Sequence, residues 1–156
     1  MNDFDKETTC SFTGHRILKK DFSEEKLYCF IENIIKKGYK TFLSGMAIGF
    51  DTECFECLIK LKEKYNIDVI ACVPCKNQAE KFNIKDREKY YSLLKKADKI
   101  IILYNEYNEK CMSERNKYMV DNSSLLIAYL YVSKGGTYST VKYALKKGKK
   151  VEYFCS

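Results

Sequence analysis

The chain predicts an α/β fold, a doubly wound and mostly parallel sheet with helices on both faces. Three observations predict it. Apolar runs of strand length alternate strictly with helix-length stretches of period 3.6 along the 156 residues. The run Asp-Val-Ile-Ala-Cys-Val at 68–73 is apolar without alternation, the mark of a strand covered on both sides. Glycine-bearing or polar segments follow the strands, where such sheets hold their ligands.

Each element has its own reason. Residues 8–13 form a short first strand. Ser23 then caps a helix with Glu24 and Glu25 in its first turn and Leu27, Phe30, Ile31, Ile34 and Ile35 on one face. It stops at Gly38, a C′ glycine after Lys36 and Lys37. Residues 39–44 are the second strand and 50–65 the second helix. After the strand at 68–73 come a short helical piece at 78–82 and a longer helix near 85–96. Lys99–Tyr104 is the fourth strand, Cys111–Asp121 a helix, and 124–131 the fifth strand. A last helix at 137–147 leads through Gly148 to a final strand at 150–154. The alternation reads as a single Rossmann-like domain over residues 1–156.

Composition narrows the class. No apolar run is long enough for a membrane span, and the polar, acidic first residues are no signal peptide, so a cytoplasmic protein without membrane association is expected. The net charge of +7 comes from lysines scattered over helix faces and gathered at Lys146, Lys147, Lys149 and Lys150, which reads as solvation ahead of the sharper alternative, a basic cleft for an anionic ligand. No basic stripe interleaves with aromatics, so nucleic acid is not the expected partner. Of the eight cysteines, Cys54, Cys57, Cys72 and Cys75 have zinc-ribbon spacing. Cys54 nevertheless falls on an apolar helix stripe and Cys72 inside a strand, so reduced core thiols, no metal and no cofactor are expected.

Four segments stand at carboxyl ends of strands: Gly14-His15-Arg16, residues 44–51, Pro74 to Gln78, and residues 134–140. In the last, Gly135 and Gly136 let backbone approach an anion, and Thr137 opens a helix whose first N–H groups lack partners. Ser44, Gly45, Met46 and Gly49 offer backbone amides in the same way. Arg16 suits a phosphate or is a surface charge, and His15, the only histidine, is a ligand or a loop cap. Asp51 is a ribose acceptor or a helix-start carboxylate. Glu114 and Arg115, near the start of their helix, are a ligand clamp or part of an ion pair.

The ordered set Gly14-His15-Arg16, Ser44 to Asp51, Pro74 with Gln78, and Arg115-Asn116 with Met119-Val120-Asp121 ahead of Gly135-Gly136-Thr137 resembles the YpsA family. That family lies in the SLOG superfamily beside the DNA-processing protein DprA and the LOG phosphoribohydrolases. The resemblance runs over residues 10–154. It implies a bacterial or phage protein with a nucleotide-like ligand such as ADP-ribose or an NAD derivative, acting as a sensor or regulatory module, with a homodimer allowed. The LOG enzymes resemble this chain in Arg115 and Met119, but Val141 or Lys142 stands where their catalytic glutamate would be. Cleaving an N-glycosidic bond needs a carboxylate. An N-glycosidase using Glu114 or Asp51 is therefore the alternative, and a DprA-like nucleic-acid binder the second.

Overall fold

The computed structural model describes residues 4–155. Its strands are β1 (Thr9–Gly14), β2 (Thr41–Ser44), β3 (Asp68–Cys75), β4 (Lys99–Tyr104), β5 (Leu125–Tyr129) and β6 (Lys150–Tyr153). Its helices are α1 (Glu24–Lys36), α2 (Phe50–Leu61), α3 (Ile84–Leu94), α4 (Cys111–Asp121) and α5 (Gly135–Lys146). The strands form one sheet in the order β4-β3-β2-β1-β5-β6, parallel throughout. The chain steps outward from β1 to β4, then crosses back past β1 to β5 and β6. The switch point therefore lies between β1 and β5.

Strand pleat divides the core in two. Phe12, Phe42, Val69, Val73 and Ile127 point to one face, where α1, α2 and α3 bring Ile31, Phe55, Leu58 and Leu93. Leu43, Ile70, Cys72, Leu126 and Ala128 point to the other, under Met119 and Val120 of α4 and Val141 and Ala144 of α5. The alternating layers and the parallel, Rossmann-like sheet are as the sequence predicts.

Local chemistry sets the helix ends. Ser23 Oγ accepts the Lys26 N–H at 3.1 Å, and Asn83 Oδ1 accepts that of Asp86 at 2.8 Å. Several bounds differ from the sequence reading: α2, expected to reach residue 65, ends at Leu61, β3 runs on to Cys75, and two further differences have a visible local cause. Residues 78–82 make successive turns instead of a helix, with N–H groups bonding three residues back. The Arg87 guanidinium donates to the carbonyls of Ala79, Glu80 and Phe82 and fastens these turns to the start of α3. The fifth strand ends at Tyr129, because the Tyr131 N–H turns away to His15.

The zinc-ribbon spacing does not become a site. Cys54 and Cys57 pack on the α2 face of the sheet and Cys72 on the opposite one. Burial pushes the Cys57 and Cys72 thiols up to about 12. Among the described residues, no helix is long and apolar enough to cross a membrane.

Candidate functional site

Parallel pairing brings the ends of β1, β2, β3 and β5 to one edge of the sheet. At the switch point the loop after β1 is tied to β5. The His15 N–H donates to the Tyr129 carbonyl at 3.3 Å, and the Tyr131 N–H donates to His15 Nε2 at 3.1 Å. Tyr129 Oη accepts the Lys19 N–H, and the Tyr131 hydroxyl donates to the Ile17 carbonyl. Partial burial lowers the His15 pKa and favours the neutral ring, whose Nε2 is the acceptor. Gly14 admits no side chain, since a Cβ there would lie 2.5 Å from Phe50 Cβ.

Residues 44–51 form a tightly bonded loop. Ser44 Oγ accepts the Met46 N–H at 3.2 Å, and Asp51 Oδ2 accepts that of Ala47 at 3.2 Å. Met46 has φ of 60°, a conformation costly outside glycine. The Gly45 carbonyl accepts from Gln78 Nε2 at 3.0 Å and from Arg115 Nη1. Gln78 is oriented in turn by the Tyr90 hydroxyl, which donates to its Oε1.

Below this loop two charged side chains, Arg115 and Asp51, are buried and feel each other's charge without a direct hydrogen bond. Arg115 is 3% exposed and also donates to the Cys72 carbonyl at 3.2 Å and to Asn116 Oδ1 at 2.9 Å. Asp51 is 6% exposed, and its Oδ1 has no hydrogen-bond partner. Burial raises the Asp51 carboxyl to about 6 despite the opposing pull of Arg115. Arg115 is the fifth residue of α4, beyond the reach of the orphan N–H groups, and its guanidinium turns inward to two carbonyls.

Above the loop, a cleft of about 730 Å³ opens between the residues after β2 and those after β3. Arg16, Ile48, Asn77, Gln78 and Lys81 are among its walls. A smaller hollow of about 170 Å³ adjoins it through Arg16 and Ile48 and reaches Met46 and Gly49. The loop after β5 lies elsewhere. Gly136, Ser139 and Thr140 line a groove of about 310 Å³ between α4 and α5, with Ser113, Asn116 and Lys117. The four segments thus share an edge but not a cavity, because α4 and α5 cover the face opposite α2 and α3. Met112 lines both the large cleft and this groove.

The remaining candidates divide. Gly135 is exposed with φ of 90°, and Thr137 is buried in the first turn of α5. Pro74 is buried inside β3, beside Cys75, which reaches the cleft. Glu114 is exposed and accepts the Tyr104 hydroxyl at 2.8 Å, away from these cavities. Two cleft carboxylates, Glu80 and Asp86, escaped the sequence reading, and each takes a side-chain amide from Asn77 or Asn83. Lys19 and Tyr131 escaped it too. Lys19 Nζ lies 5.6 Å over the Tyr131 ring, which also packs against His15 at 4.3 Å and Tyr129 at 5.6 Å. The fold builds this interleaving of aromatics and cations from loops more than a hundred positions apart, so no stretch of sequence displays it.

Comparison with known proteins adds to this geometry. The YpsA family model, the YspA SLOG family, matches residues 13–156. The uncharacterized SPbeta prophage-derived protein YoqJ of Bacillus subtilis (strain 168) is 31% identical over 137 residues, 79% of this chain and 80% of that protein. The fold resembles DNA processing protein A of Streptococcus pneumoniae, with TM-score 0.71 and 15% identity over 97% of this chain and 51% of that one. It also resembles the Helicobacter pylori protein, described for its single-stranded DNA binding mode, with TM-score 0.72, 17% identity, and coverage of 97% and 66%. This chain therefore spans about half and two thirds of those two proteins.

Proposed function

We propose that this chain, which belongs to the YspA SLOG family, binds a phosphorylated nucleoside at the carboxyl edge of its sheet and acts as a sensor or regulatory module. The observation that carries the reading is the convergence of Arg16, residues 46–49 and Gln78 on one pair of adjoining cavities. Arg16 supplies a planar, exposed cation for phosphate. Asn77 and Lys81 supply donors for hydroxyls or base edges. Met112 joins this cleft to the groove at Gly136, so a ligand with a nucleoside at one end and a ribose at the other, such as ADP-ribose, has a polar site for each end. Turnover is not part of the proposal, because Glu114 lies outside the cavities and Asp51 is buried beneath them.

Calorimetry with AMP, ADP-ribose and NAD, and chromatography of the same mixtures, test it. The expected result is binding tightest for ADP-ribose, no new product, and affinity reduced by Arg16→Ala. A product peak, or no heat with any of the three, overturns it.

A second reading, single-stranded nucleic acid, is supported by the exposed Tyr131 ring between His15 and Lys19. The likeness to the Helicobacter pylori protein points the same way. An unstructured oligonucleotide that binds with steep salt dependence, weakened by Tyr131→Ala but not by free ADP-ribose, favours this reading over the first.

A further inference from the structure

We propose that Cys75 and Cys111 form a dithiol site at the wall of the large cleft, which hydrogen peroxide oxidises to an internal disulfide. Cys75 is the last residue of β3 and Cys111 the first of α4, and both are buried. Each is held by its own element: Cys75 pairs with Tyr104 of β4, and the Cys111 N–H donates to the Asn108 carbonyl at 3.2 Å. Their thiols share a hydrogen bond, which sets the two sulfurs side by side. Cysteines already in contact need only a small adjustment to reach disulfide geometry. Among the described residues, neither belongs to the apolar clusters that hold Cys10, Cys54, Cys57 and Cys72.

Cys75 reaches the cleft, so a small oxidant meets its sulfur first. Burial raises the Cys75 thiol, and the Cys111 thiol beside it adds to this, while the Arg115 guanidinium pulls the other way. Arg115 stands one turn beyond Cys111 on the same face of α4, and its guanidinium feels the Cys111 sulfur as well. A buried cation beside two thiols favours the thiolate that reacts. The Cys75 sulfur, having given up its proton, attacks one peroxide oxygen. An S–O bond forms, the O–O bond breaks, and the second oxygen takes the proton to leave as water. The Cys111 sulfur then attacks the Cys75 sulfur. An S–S bond forms, the S–O bond breaks, and hydroxide leaves with the Cys111 proton as a second water. The two thiols lose two electrons, which the peroxide gains. Cys75 lies just ahead of Asn77 and Gln78, and Cys111 just ahead of Met112, so the bond ties two walls of the cleft together.

Peptide mapping without reductant tests it on the full chain carrying Cys29→Ser and Cys155→Ser, which remove two exposed thiols able to cross-link separate molecules. Hydrogen peroxide should join the Cys75 and Cys111 peptides with the loss of two hydrogens. Circular dichroism should stay unchanged, and dithiothreitol should restore both thiols. In urea, which separates β3 from α4, that pairing should lose its preference over the others. Adding Cys111→Ser should leave a sulfenic acid on Cys75, seen as a dimedone label that is lost when Cys111 is present. Cys75 and Cys111 still reduced after peroxide, or either joined mainly to another cysteine, overturns the proposal. So does a preference that survives in urea, or an unlabelled Cys75 in a folded Cys111→Ser variant.

Discussion

Two glycine loops precede helices at the carboxyl edge, and the protein uses them in opposite ways. In residues 44–51 the glycines answer to the protein's own packing. A Cβ on Gly45 would lie 2.8 Å from the Arg115 guanidinium carbon, and one on Gly49 would lie 2.6 Å from Arg16 Cα. The loop is held by Ser44, Asp51, Gln78 and Arg115, so its backbone groups are largely spoken for. In residues 134–140 the reverse holds. A Cβ on Gly135 or Gly136 would have open space, and the helix they begin has no side-chain cap. Gly135 needs its positive φ, but nothing inside the protein demands glycine at 136. A glycine required by packing reports on stability, whereas one that packing leaves free points to something approaching from outside.

Mutations can break or sharpen this contrast. The largest effect is expected at Arg115. Arg115→Ala should destabilise the protein by about 2–4 kcal/mol, since it strips donors from the Gly45 and Cys72 carbonyls and removes the buried cation that opposes the burial cost of Asp51. Denaturant unfolding measures it. A ligand clamp would instead lose affinity with apo stability intact, which is the outcome that would restore that reading of Arg115.

Next comes a pH dependence rooted in Asp51. The fold raises its carboxyl from 3.8 to about 6, so the folded state disfavours the ionised form. Its contribution to stability is therefore fullest below pH 3.8 and is lost as the pH rises through about 6. The loss is at most about 3 kcal/mol, the free-energy equivalent of raising the carboxyl from 3.8 to about 6. The stability difference between wild type and Asp51→Asn should change across that window and be flat above it, in parallel urea melts. A difference independent of pH would remove Asp51 as the source.

The smallest effect separates the two loops most cleanly. Gly136→Ala should change apo stability by less than about 0.5 kcal/mol, as for an unencumbered surface site. Gly136→Asp should leave melting similar but cost ADP-ribose affinity by about 1 kcal/mol or more, by setting a carboxylate against a phosphate. Unchanged calorimetric affinity for Gly136→Asp would place the phosphate away from α5.

How far could the sequence alone go? Strict alternation of apolar runs and amphipathic stretches settled the layered, parallel architecture, because each strand's period and each helix's stripe are local properties. The helix that begins after Ser23 and stops at Gly38 was legible for the same reason, since a cap acts within one turn. The ordered motifs from Gly14 to Thr137 were legible as a family resemblance, and that family is the one the chain belongs to. Which of those residues face a cavity was not legible. Arg115 and Glu114 are neighbours in sequence, yet one is buried under the Gly45 loop and the other is exposed beside Tyr104. Only the rotation of α4 against the sheet decides between them. Tertiary structure alone also split the carboxyl edge in two, because crossover handedness sends α2 and α3 to one face and α4 and α5 to the other. Local spacing carries no information about which face a distant helix will cover.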